Sequence, residues 1–112
     1  MERHGLVLRL RAGARAEYER LHAAVWPEVL ATISRCGIRN DSIFVRELDD
    51  GRDWLFACFE YHGDDFEADM RRMAADPATQ RWWGVCEPLQ EPIAARGPGE
   101  WWARMREVFR HD

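Results

Sequence analysis

Tyr18, His22 and Trp26 stand four residues apart in the stretch Tyr18-Glu19-Arg20-Leu21-His22-Ala23-Ala24-Val25-Trp26-Pro27-Glu28. On a helix, residues at i, i+4 and i+8 drift only slowly around the axis, so the spacing puts a phenol, an imidazole and an indole on roughly one face. Imidazole is the side chain whose unperturbed pKa lies close to neutral pH, which suits it to give a proton in one step and recover it in the next. An indole and a phenol beside it are groups that pack against the C–H face of a sugar. Gln80-Arg81-Trp82-Trp83 supplies a second aromatic cluster that can close such a pocket from elsewhere in the chain. Aromatic residues at helical spacing also serve as ordinary core.

Other catalytic apparatus is harder to find. His4, His22, His62 and His111 show neither H-x-x-x-H nor H-x-x-E-H spacing, and no carboxylates complete a ligand cluster with them, so no metal site is expected. All 16 basic residues are arginine, and the absence of lysine excludes Schiff-base chemistry, a covalent pyridoxal link and a Walker-type phosphate loop. No G-x-G-x-x-G or G-x-S-x-G element occurs. Asp49-Asp50 and Asp64-Asp65 fall at a turn and a helix start, where carboxylates cap and solvate. Cofactor-free acid/base work or simple binding remains.

The elements that must position these residues follow from periodicity. Residues 5–11 alternate Leu6, Leu8 and Leu10 with Val7, Arg9 and Arg11, the pattern of a first strand. A helix is expected from Ala14 to about Ala24, with Pro27 opening its continuation and Cys36-Gly37 ending it. Residues 42–48 and 53–61 flank Asp49-Asp50-Gly51-Arg52 as a hairpin. Its second strand is apolar on both faces, with Trp54, Phe56 and Cys58 on one and Leu55, Ala57 and Phe59 on the other. Such a strand needs helices on one side and a ligand or another subunit's sheet on the other, which points to a homodimer through the sheet. Helices are expected over Asp64–Ala75 and after Asp76-Pro77, a loop over residues 90–100, and a last strand over Trp102–Phe109. The order β-α-β-β-α-β is that of a ferredoxin-like α+β sandwich.

With 112 residues the chain is expected to form one domain spanning positions 1–112. No apolar run approaches the roughly 20 residues that cross a bilayer, so no membrane partner is expected. The N-terminus lacks the pattern of a secretory signal, and a cytoplasmic location is expected. Cys36, Cys58 and Cys86 cannot all pair within one chain and read as reduced packing residues. A net charge of −4 without a basic stripe argues against nucleic acid.

The motifs Y-x-x-x-H-x-x-x-W-P-E at 18–28, Q-R-W-W at 80–83 and E-V-F at 107–109 resemble the L-rhamnose mutarotase family, in order and at compatible spacing over nearly the whole chain. The resemblance implies a dimeric α+β barrel that interconverts the α and β anomers of a 6-deoxy-L-sugar, an isomerase with no cofactor and a monosaccharide substrate. By position, His22 corresponds to the family's proton donor, and Tyr18 and Trp82-Trp83 to its sugar-binding residues. Where the rhamnose pattern has a tyrosine after an asparagine, this chain has Asn40-Asp41; Asp41 is therefore expected to bind a different set of hydroxyls. Residues 90–101 look more like relatives acting on L-fucose, which leaves the sugar open between L-rhamnose and L-fucose. The six tryptophans and His22 would also suit a cofactor-free monooxygenase of the same fold, or a metabolite-binding dimer without catalysis.

Overall fold

A computed structural model describes residues 1–112. The chain runs through β1 (Glu2–Leu10), α1 (Arg15–His22), α2 (Pro27–Arg35), β2 (Ile38–Glu47), β3 (Asp53–Tyr61), α3 (Phe66–Ala75), α4 (Pro77–Cys86), a single 3-10 turn at Glu87–Leu89, β4 (Gln90–Glu91) and β5 (Ala103–Met105). The antiparallel sheet has the order β2-β3-β1-β4, with β5 also paired to β1. This is the expected α+β sandwich, its last strand divided into two short pieces against β1.

Alternation in β1 turns His4, Leu6, Leu8 and Leu10 to the helix side, and Leu8 and Leu10 are wholly buried there. β3 contributes Leu55, Ala57 and Tyr61 to the same side. Tyr18 of α1, Val29 of α2, and Ala78, Trp82 and Cys86 of α4 close over Leu8, Leu10 and Leu55 to form the core. Each helix starts for a local reason. Pro27 and Pro77 occupy first-turn positions where a missing N–H costs nothing. Asp65 and Asp76 cap α3 and α4 by accepting from the backbone N–H groups of Ala68 and Thr79 at 3.1 and 3.0 Å.

Two expectations are corrected. The helix that carries Tyr18 and His22 stops at His22, and Trp26 becomes the extended N-cap of α2, because Pro27 restricts the residue before it to extended backbone. The last strand covers Ala103–Met105 rather than Trp102–Phe109. Beyond Met105 the chain Arg106-Glu107-Val108-Phe109 leaves β1, and Val108 and Phe109 stand 83% and 80% exposed.

The start of β2 matters most for the site. Ile38 pairs with Tyr61 and Arg39 with Glu60, but pairing resumes at Ser42 with Cys58, so Asn40 and Asp41 together oppose Phe59. This is a β-bulge, and Asn40 takes it up with φ of +52°, a conformation asparagine tolerates better than most residues. The Asn40 amide donates to Glu60 Oε1 at 3.1 Å. Beyond the bulge the alternation of β2 is reversed, and Asp41 and Ile43 share the side to which Ile38 points. Leu55, 1% exposed at the centre of the helix-covered face, gives a direct check on this packing. Leu55→Ala is expected to lower unfolding stability by about 2–5 kcal/mol, read as a shift of the urea midpoint without a change of slope.

Candidate active site

The helices do not cover the inner face of the sheet completely. Between α1, α2, α4 and the inner faces of β1, β2 and β3 lies an open cleft of about 660 Å³, largely apolar, with Leu6, Ile43, Ala57 and Phe59 on the sheet side. Tyr18, His22, Asp41, Trp82 and Trp83 all line it, although they come from three separated segments of the chain. Trp26 does not. It packs its ring edge on Trp82 at 5.2 Å between centroids and belongs to a shallow hollow with Pro27, Glu28 and Arg81.

His22 is held on two sides. Its ring stacks on Tyr18 at 4.2 Å and meets Trp82 edge-on at 5.2 Å. Nδ1 lies 2.9 Å from the Tyr18 carbonyl, one helical turn back. A carbonyl oxygen only accepts, so Nδ1 carries the proton and donates, and Nε2 is the nitrogen left for a ligand. Neutral His22 thus offers a lone pair at Nε2, and protonated His22 offers an N–H there.

Tyr18 belongs to core and cleft at once: it is 4% exposed and part of the central apolar cluster. Gln90 Nε2 donates to its hydroxyl at 3.1 Å, and Trp101 Nε1 donates to Gln90 Oε1 at 2.8 Å. With a lone pair thus engaged, the phenol keeps its own proton for another acceptor. Burial pushes the Tyr18 pKa up to about 12, so the group remains a neutral donor across the neutral range. Burial also lifts Cys86 to about 11, which keeps this cleft thiol protonated and unreactive.

Gln90, Trp101 and Glu87 also line the cleft; residues 90–101 stood out in the sequence only by their resemblance to fucose-acting relatives, and nothing local marked these three as lining residues. Gln90 begins a two-residue strand in a stretch read as loop, and Trp101 reaches it across a turn rich in proline and glycine. A glutamine that is only 5% exposed is a signal, but one visible only after folding. No three His, Cys, Asp or Glu side chains converge as a metal-ligand set.

Among proteins of known sequence and structure, the L-rhamnose mutarotase family model matches residues 3–111. The chain belongs to the L-rhamnose mutarotase family. Relatives named L-rhamnose mutarotase include those of Phocaeicola vulgatus, 34% identical, and Oceanobacillus iheyensis, 30% identical, each aligned over the full length of both chains. The crystal structure of an L-rhamnose mutarotase from Formosa agariphila shares the fold with a TM-score of 0.75, at 23% identity and full coverage of both chains. A mutarotase is a carbohydrate isomerase that interconverts sugar anomers.

Asp41 is open to solvent as a residue, yet the atoms around its carboxyl desolvate it and raise its pKa, an effect that the nearby His22 charge partly offsets. The folded protein therefore holds the Asp41 proton more tightly than the unfolded chain does. The stability associated with this group is present below its unfolded pKa and is lost as the pH rises through its folded pKa. Asp41→Asn, which never ionises, is expected to melt at a higher temperature than the wild type at neutral pH. The difference should close as the pH falls through the ordinary aspartate range, as followed by circular dichroism.

Proposed function

We propose that this protein is a cofactor-independent mutarotase that interconverts the α and β anomers of a 6-deoxy-L-hexose, L-rhamnose or L-fucose, by acid/base ring opening and reclosure. The observation that carries this reading is His22 with a single free ring nitrogen, facing a cleft whose lining includes the Tyr18 phenol and the indoles of Trp82, Trp83, Trp101 and Trp102. Ring opening asks for a proton at the ring oxygen while the anomeric hydroxyl loses one. The free aldehyde then turns, and the ring hydroxyl attacks its other face. Protonated His22 delivers the proton from Nε2, and one such positioned group is worth about 10²–10⁴-fold. Proton transfers alone complete the reaction.

The remaining roles are those of sugar binding. Trp83, 38% exposed at the cleft wall, offers its face for stacking on the C–H side of the ring, and Trp82 lines the same cleft. Tyr18 donates its hydroxyl proton to a sugar oxygen, and Asp41 accepts from a sugar hydroxyl. The apolar wall of Leu6, Ile43 and Phe59 suits the methyl group of a deoxy sugar. A carboxylate at position 41 selects among hydroxyl configurations, because a site built to hydrogen-bond a hydroxyl discriminates strongly against the wrong one.

We further propose that residues 1–112 act as one such domain and assemble as a homodimer through the outer face of the sheet. Phe44, Phe56 and Val7 are paired across neighbouring strands on that face, and Phe44 is 64% exposed in the single chain. Met105, 41% exposed, packs beside them over Gly5. A cytoplasmic location accords with three free thiols at Cys36, Cys58 and Cys86.

Exchange NMR at the anomeric protons of L-rhamnose and L-fucose tests the reaction. The wild type is expected to accelerate exchange, His22→Asn to abolish nearly all of that acceleration while still binding sugar, and Trp83→Ala to raise KM more than it lowers kcat. Acceleration of neither sugar would remove the proposal. Sedimentation velocity tests the assembly: a dimer for the wild type, and a folded monomer for Phe44→Asp.

A further inference from the structure

His22 has one nitrogen to offer, because Nδ1 is committed to the Tyr18 carbonyl. Ring opening moves two protons, one onto the ring oxygen and one off the anomeric hydroxyl. A second group must therefore take the proton that His22 cannot. The other titratable groups lining the cleft are Tyr18 on α1, Asp41 on β2, and Cys86 and Glu87 at the end of α4. Tyr18 and Cys86 stay protonated near neutral pH, so neither is a ready base. Glu87 stands at the C-cap of α4, and the group that senses its charge is Cys86. Asp41 is different: the His22 charge acts on its carboxyl, and its own charge acts on Tyr18.

The backbone explains how a carboxylate reaches this position. In a regular strand starting with Ile38 on the inner side, position 41 would face outward, away from the cleft. The extra residue at Asn40-Asp41 opposite Phe59 reverses the alternation and turns Asp41 inward. Asn40 is fastened to Glu60, which in turn contacts Arg3 and His62, so these neighbours anchor the bulge on the side away from the cleft lining.

We infer that Asp41 is the general base of the reaction, set by the bulge to work with His22 from the sheet side of the cleft. This role rests on the proposed mutarotase reading and names the proton acceptor that reading requires. The Asp41 carboxylate takes the proton from O1. The O1–H electron pair becomes the second bond of C1=O1, the C1–O5 bond breaks with its pair on O5, and O5 takes the Nε2 proton of His22. After rotation about C1–C2, neutral His22 removes the proton from O5 as O5 attacks the opposite face of C1, and the Asp41 acid returns its proton to O1. Both residues end as they began. Partial desolvation strengthens Asp41 as a base, because a carboxylate with a raised pKa binds the transferred proton better.

The test measures anomeric exchange against pH for the wild type, Asp41→Asn, Asp41→Glu and His22→Asn. Asp41→Asn is expected to lower kcat by about 10²-fold or more with KM much less affected. It should also remove the acid limb of the pH profile, which in the wild type reports protonation of the base. Asp41→Glu is expected to restore part of the rate and the acid limb with it. An Asp41→Asn enzyme with kcat close to wild type, with its acid limb intact, or with a loss confined to KM overturns the role of Asp41 while leaving the mutarotase reading standing. A wild-type protein that accelerates neither sugar fails at the earlier step and removes this role as well.

Discussion

A strand that is apolar on both faces needs two different covers, and β3 imposes that requirement on the rest of the molecule. Its inner row of Leu55, Ala57 and Tyr61 is buried, and Leu55 lies under the helices with Leu8 and Leu10 of β1. The helices are short, eight to ten residues each, and they cannot close over the whole sheet. Where the cover ends, Leu6, Phe59 and Ile43 become the floor of a cleft instead of core. The opposite row of Phe56 and Cys58 has no cover within the chain, and burial of such a surface is the main favourable term available to a second copy.

The cleft is thus an unfinished part of the core, and its residues divide by how much of the fold they carry. Tyr18 and Trp82 are 4% and 6% exposed and hold α1 and α4 on the sheet. Their rings fix His22 by stacking on its face and abutting its edge, so packing performs the orientation that another enzyme assigns to a carboxylate partner. Trp83 and Asp41 carry little of the core. Polar order is kept by a short chain of hydrogen bonds from Trp101 through Gln90 to Tyr18, which links the irregular segment after β4 to the α1 wall of the cleft.

Asp41 illustrates the tension between folding and chemistry. A desolvated carboxylate opposes folding at neutral pH, and a bulged strand with a left-handed asparagine gives up regular pairing. Neither feature serves the sheet. Both bring a charge into a largely apolar cleft beside an imidazole, where electrostatic interactions are stronger than in water.

The order of strands and helices could be read from the sequence because it rests on local rules: alternation in β1, a short continuous apolar run in β3 behind a turn, Asp and Pro at the starts of α3 and α4, glycine in the hairpin turn and after α2. The motif around His22 was legible for the same reason, since i and i+4 on one helix are neighbours in any fold. Trp26 shares the spacing but not the cleft, because a local rule of equal force, the restriction before Pro27, breaks the helix between His22 and Trp26. Residues 90–101 stood out only by resemblance, and the place of Gln90 and Trp101 in the site was not legible, because it depends on a hydrogen bond from Gln90 to Tyr18, 72 residues away along the chain, and one from Trp101 to Gln90. The side to which Asp41 points was likewise decided only by tertiary structure: strand register sets it, and the bulge opposite Phe59 is a property of the paired strands that neither strand holds alone.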